Sequence, residues 1–191
     1  MIREVIVTTA SLSNNSHIAP MGIKNLGEET IIMPFRPSTT LDNLMETGLA
    51  AINHIDDVRI FAGCLTGHRE WPLVNAEKIH TKRLKAALSH AEVEVTRIEN
   101  DELRPKVYCR IVHQAIHAPF QGFNRAQHAV LEAAILVSRL DRLSWRKINQ
   151  ELEYLRIGLD KTAGDRELEA WQWLMEAIED HNQHPEEVSR K

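Results

Sequence analysis

Residues 86–98, AALSHAEVEVTRI, and 106–113, KVYCRIVH, decide the fold class. In the first, Val93, Val95 and Ile98 stand opposite Glu92, Glu94 and Arg97; the second alternates likewise, and the polar stretch ENDELRP lies between them. A period of two is that of a half-buried strand, so the two runs predict a long antiparallel pair. Working towards the N-terminus, residues 2–9 (IREVIVTT) and 16–23 (SHIAPMGI) flank the turn-like SLSNN and predict an opening hairpin, while 30–36 (TIIMPFR) and 58–65 (VRIFAGCL) are further strand candidates. Pro37 ends the strand before it, and TTLDNLMETG then reads as a helical turn capped by Thr39 or Thr40.

From Asn124 onward the period becomes about 3.6. Ala126, Val130, Ala133, Ala134, Val137 and Leu140 recur at helical spacing behind Asn124, which can cap a helix over about 124–140. Ser144 can cap a second helix to about Leu159 and Asp165 a third to about Asp180, with Gly158 and Gly164 as breaks and the tail HNQHPEEVSRK as a frayed end. Strands followed by helices are the segregated α+β pattern, dividing here into 1–121 and 122–191. Antiparallel strands without crossover helices tend to close on themselves, so the expected fold is a small barrel followed by a C-terminal helical domain. Side chains fill such a barrel, which leaves a sizeable ligand the rim or a subunit interface.

Composition excludes several classes. The chain of 191 residues is 43% hydrophobic with a formal charge of -4, which is neither a disordered composition nor a polyanion-binding one. Residues 1–63, 64–121 and 122–191 carry net charges of -3, +2 and -3, and the one basic cluster, Lys82, Arg83 and Lys85, reads as a solvated turn. Neither a nucleic-acid partner nor a membrane is expected, and with no basic region and apolar run at the N-terminus the expected location is cytoplasmic. Cys64 and Cys109 sit in apolar runs and are expected to be reduced, inert thiols.

The segment 34–44, PFRPSTTLDNL, carries the most chemistry. It sets the permanent cation Arg36 beside the hydroxyls of Ser38, Thr39 and Thr40 at the mouth of a helix, with the Asn43 amide one turn on. Helix N-terminal N–H groups, hydroxyls and a guanidinium fork together match a phosphate dianion. The same residues also read as an ordinary capped helix with Arg36 on a surface carboxylate. In 17–23, HIAPMGI, the run of Ala19, Pro20 and Gly22 leaves little side chain on one strand edge, so a flat ring could approach the backbone there; an ordinary bulged edge strand is the alternative.

These segments carry a family resemblance. VTTxxxxxxxHIAPMGI, FRPSTTLDNL, DDVRIFAGCLTG and GFNRAQHAVLEAAILVSRL resemble the domain-of-unknown-function family 447, split-barrel flavin-binding proteins with an added helical domain. More distantly, the chain is similar to flavin reductase and pyridoxamine-phosphate oxidase-like split barrels. The resemblance implies a homodimer with FMN held noncovalently at the subunit interface. Arg36, Ser38, Thr39, Thr40 and Asn43 would then hold the phosphate, and Ala19, Pro20, Met21 and Gly22 would line the isoalloxazine. In the first hairpin, where the family often has Asp-Gly, this chain has Asn14-Asn15, and Asn tolerates the left-handed angles of such a turn.

The resemblance supplies a cofactor and no reaction. An FMN-dependent oxidoreductase of a small heteroaromatic or cofactor-like substrate is the leading expectation, with catalytic residues unassigned. A noncatalytic flavin-storage or ligand-sensing protein is the alternative, although a DNA-binding sensor would want a basic recognition helix that the acidic C-terminal third lacks. The 10 histidines invite a metal, but His113 and His117 are four apart at a strand end, and neither His-Glu-x-x-His nor Cys-x-x-Cys occurs, so none is expected. His128 and Glu132 share a helix face, either as a local pair or lining a substrate pocket; Trp145, Trp171 and Trp173 are expected as core or interface anchors.

Overall fold

A computed structural model of the chain describes residues 1–183. Among the described residues eight strands and five α-helices follow one another in the order β1 (Ile2–Ala10), β2 (Ser16–Leu26), β3 (Glu29–Ile32), α1 (Thr39–Thr47), β4 (Leu49–His54), α2 (Arg59–Thr66), β5 (Leu73–Asn75), β6 (Lys82–Leu84), β7 (Ser89–Glu99), β8 (Lys106–Ile116), α3 (Arg125–Val137), α4 (Trp145–Thr162) and α5 (Asp165–Gln183). The predicted α+β architecture and antiparallel barrel are both present. Six strands close in the order β1, β2, β3, β8, β7, β4, and β5 and β6 form a separate two-stranded ribbon.

The chain divides into two compact units, one of 1–56 with 70–120 and the other of 57–69 with 121 onward. In the first, the barrel core is built by alternation: Val5 and Val7 of β1, Ile52 of β4, Val93 of β7 and Cys109 of β8 all face one apolar cluster with Leu41 and Leu44 of α1. Burying each such side chain is worth about 1.5–3 kcal/mol. Two irregularities interrupt the β7–β8 ladder, between Glu92 and Val93 and between Val95 and Arg97. The second leaves Thr96 without a pairing position, which explains how Val95 and Ile98 both pack on the core despite an odd separation. The first hairpin turns through Asn14 at φ 62, the left-handed conformation that asparagine accepts.

The second unit packs α2, α3, α4 and α5 around Val58, Ala62, Ala126, Val130, Leu159 and Leu174. Asn124 and Ser144 are the caps expected, the first accepting from the N–H groups of Ala126 and Gln127 and the second from that of Lys147. Trp171 and Trp173 pack against this core, and Trp173 stacks on His68 at 4.1 Å between ring centroids; Trp145 is 41% exposed.

Several expectations need correction. Residues 58–65 are not a strand: they form α2, whose Arg59 N–H is received by the Asp57 carboxylate and which stops at Gly67 in the left-handed region. Residues 49–54, unassigned from sequence, are the barrel strand β4. Lys82 and Arg83 lie in β6 rather than in a turn. Gly158 does not break a helix but lies inside α4, where a Cβ would stand 3.3 Å from the Arg125 carbonyl oxygen, so its role is close approach of α4 to α3. The tail expected to fray continues α5 through Gln183, and its remainder, 184–191, lies outside the described residues. Among the described residues no helix is long and apolar enough to cross a membrane.

Candidate functional site

α1 begins at Thr39, so the cap expected at Thr39 or Thr40 moves back one residue: both threonines already lie inside the helix. Ser38, in extended conformation, is the N-cap and its Oγ accepts from the Leu41 N–H at 3.2 Å. The first intrahelical bond runs from the Asp42 N–H to the Ser38 carbonyl at 3.0 Å, so the N–H groups of Thr39 and Thr40 precede the ladder and point out of the helix end. Thr40 is fully buried, and among the described residues its Oγ1 has no hydrogen-bond partner. A buried hydroxyl without a partner costs about 1–3 kcal/mol, so a ligand acceptor at this position removes a real penalty. Arg36 is exposed: its backbone N–H donates to the Leu103 carbonyl at 2.9 Å, and its Nε reaches the Asp101 carbonyl at 3.4 Å, a long contact that leaves the guanidinium fork facing solvent.

Asn43 plays a different part from the other four. It is 5% exposed and donates from Nδ2 to Thr9 Oγ1 of β1 at 2.9 Å, so it braces the helix on the barrel; serving a phosphate directly would cost that bond.

The β2 segment lies where it can meet a ring. Residues 16–24 of β2 pair with β1, whereas β3 pairs with β2 only over Ile23–Leu26. Ala19, Pro20, Met21 and Gly22 therefore have a strand on one side only, which is how Pro20 is tolerated inside an 11-residue strand. All four are half-buried. The absence of a side chain at Gly22 has a local cause as well, since a Cβ there would come within 3.1 Å of the Ile2 side chain.

Sequence reasoning missed a second polar assembly, on the outer face of β7 and β8. His90 and Glu92 are 1% and 0% exposed beneath the loop between β5 and β6. The Glu92 carboxylate accepts from the backbone N–H groups of Glu77, Lys78 and Ile79 and from His90 Nε2. Burial alone would raise the Glu92 pKa; the Glu77 N–H, the His90 ring and the two further N–H groups outweigh it and hold the carboxyl below the usual carboxylate range. His90 Nδ1 lies 2.9 Å from His117 Nε2, and burial, then the nearby charges of Arg83 and His90, push His117 down. His113, opposite Glu92 in the ladder, sits with Nε2 3.1 Å from Glu77 Oε2.

Residues four apart share a face on a strand as they do on a helix, so a strand position does not by itself set histidines apart. A bulge completes the arrangement. Val93 pairs with Ile111 and Glu92 with His113, which leaves Val112 unpaired and moves His113 from the inner face of Val107, Cys109 and Ile111 to the outer one.

The remaining candidates stay apart from these sites. His128 and Glu132 lie on α3 and form no ion pair among the described residues, so the local-pair reading fails. Both cysteines are buried, and burial pushes their thiols up, Cys64 to about 11 and Cys109 to about 12.

No curated protein matches this chain. Among solved structures, an FMN-bound protein from Methanosarcina mazei superposes with a TM-score of 0.79 at 22% identity, over 92% of this chain and 94% of that one. A 2-nitrobenzoate 2-nitroreductase from Pseudomonas fluorescens gives 0.53 at 20% identity over 60% of this chain and 64% of that one. A flavoredoxin from Methanosarcina acetivorans gives 0.53 at 11% over 61% and 69%. Two family models match, the N-terminal domain of the protein of unknown function DUF447 over residues 3–118 and its C-terminal part over 124–176. The chain belongs to the DUF447 family.

Proposed function

We propose that this protein is an FMN-binding flavoprotein, and that it works as an oxidoreductase on a small heteroaromatic or cofactor-like substrate. The observation that carries the reading is Thr40 Oγ1, buried without a partner in the first turn of α1, beside N–H groups that no residue of the helix can satisfy. A terminal phosphate supplies the acceptors that these donors lack. Arg36 adds a charge-assisted contact from outside, and Ser38 shapes the end by capping it while Thr39 and Thr40 donate. Asn43 holds the helix in place from behind through Thr9. The open edge of β2 at Ala19, Pro20, Met21 and Gly22 lies available to the ring system. That the Methanosarcina mazei relative is FMN-bound and shares the fold over nearly its whole length supports the assignment.

FMN, when bound, supplies the electron and hydride chemistry, and the chain supplies position and electrostatics. The protein works as a homodimer with the cofactor at the subunit interface; Leu12, Phe35, Ile116 and Phe120, between 50% and 83% exposed on the barrel unit, provide apolar surface for it. The test is the visible spectrum of the purified protein on addition of FMN, with Arg36→Ala and Thr40→Val alongside. A shifted band in the native protein that weakens in both variants is expected, followed by bleaching with NADH or NADPH. An unchanged FMN spectrum would remove the cofactor, and binding without reduction by any donor would favour flavin storage.

A further inference from the structure

We infer that Glu77, His90 and His113 form a binding site for a divalent transition-metal ion of the zinc type. One carboxylate oxygen and one nitrogen from each ring lie within 4.8 Å of one another, close enough for all three to reach one ion. His113 Nε2 is buried and makes no hydrogen bond among the described residues, and it lies 3.1 Å from Glu77 Oε2. Two ligands of a tetrahedral ion with bonds of about 2.0–2.1 Å stand roughly 3.3 Å apart, so that distance suits an edge of a coordination shell.

The surroundings are those of a prepared ligand. A metal-bound histidine characteristically gives its other ring N–H to a carboxylate that fixes its tautomer and orientation. Here His90 Nε2 meets Glu92, itself immobilised by the N–H groups of Glu77, Lys78 and Ile79. That leaves His90 Nδ1 to face the ion. Its present neighbour, His117 Nε2 at 2.9 Å, is exposed at the strand end and gives way or takes the fourth position. Glu77 and Glu92 together balance the charge of a divalent cation. Two imidazoles and one carboxylate suit zinc, cobalt or nickel and not magnesium or calcium, which require oxygen shells. Glu77 is half exposed, with 50% of its side chain open to solvent, so the ion has a path in. Bound there, it would pin the loop between β5 and β6 onto β7 and β8 and leave at most one position for water or a ligand. This runs against the sequence expectation of no metal, and it stands independently of the flavin proposal.

The full-length protein, stripped with a chelator and dialysed, is titrated with Zn2+ in competition with a chromophoric chelator, and with Co2+ followed by its d–d absorption to the red of any flavin band. Expected is one equivalent of either ion, a rise in Tm with Zn2+, and no displacement by Mg2+. His113→Ala and Glu77→Gln, both at partly exposed positions and checked for native circular dichroism, should each weaken binding by about tenfold or more. No stoichiometric uptake would overturn the proposal. So would unchanged affinity in both variants, which would place the ion on other histidines.

Discussion

Replacing Glu92 by Gln keeps the shape of a fully buried side chain and removes its charge, so the effect reads out the polar assembly alone. In the native protein Oε1 receives the Glu77 N–H and faces His90 Nε2, while Oε2 receives Lys78 and Ile79. A glutamine retains one oxygen for the Lys78 and Ile79 donors but turns an NH2 group toward the Glu77 N–H, leaving that donor buried and unpaired. A buried donor without a partner costs about 1–3 kcal/mol, and the retained bonds lose their charge assistance, so we expect a loss of roughly 2–4 kcal/mol at pH 7. The loss should depend on pH in a defined direction. The folded-state pKa of Glu92 lies below the ordinary value of 4.5, so the carboxylate's stabilisation is fully present above that value and disappears as pH falls through the lower folded value. Urea unfolding of both proteins in a chelator, at pH 7 and at successive steps toward pH 4 and below, gives the difference directly. A difference under about 0.5 kcal/mol at pH 7, or one that does not shrink on acidification, would refute the reasoning.

Other consequences are as direct. Ser38→Ala removes the acceptor for the Leu41 N–H and should lower stability by about 1 kcal/mol in thermal or urea unfolding. Gly158→Val should destabilise by roughly 1–3 kcal/mol, because even the first added carbon meets the Arg125 carbonyl at 3.3 Å; a stabilised variant would show that α3 and α4 are not in close approach there. Neither thiol should react appreciably with a disulfide reagent in the native protein at pH 8, since burial raises Cys64 to about 11 and Cys109 to about 12, and both should react on unfolding in urea.

The parts of the fold legible in the sequence are those where local pattern and final environment agree. The β7 and β8 runs alternate because one face packs on the barrel core, and α3 and α4 announce themselves through Asn124 and Ser144 caps followed by helical spacing. Where a segment is apolar on every side, the pattern loses its meaning. VRIFAGCL is buried over five of its central residues and so shows no helical stripe, although Asp57 ahead of it and Gly67 behind it are start and stop signals for a helix. LAAINH is rich in alanine, a poor strand former, and is recruited into the barrel by its neighbours β1 and β7.

The two polar sites differ in the same way. Arg36, Ser38, Thr39 and Thr40 lie in one short segment, so their convergence is local and readable, and only the inward turn of Asn43 needed the structure. Glu77, His90, Glu92 and His113 come from a loop and two strands. Their meeting depends on a bulge at Val112 that strict alternation cannot anticipate.

The most direct test of the flavin assignment is the affinity of the protein for FMN relative to riboflavin, measured by quenching of flavin fluorescence. The two ligands share the ring and ribityl chain and differ in the phosphate that Arg36, Thr39 and Thr40 are proposed to hold. Two or more charge-assisted contacts at about 1.5–3 kcal/mol each predict that FMN binds at least about a hundredfold more tightly. Equal affinity for the two, or no binding of either, would contradict a phosphate cradle at the α1 N-terminus.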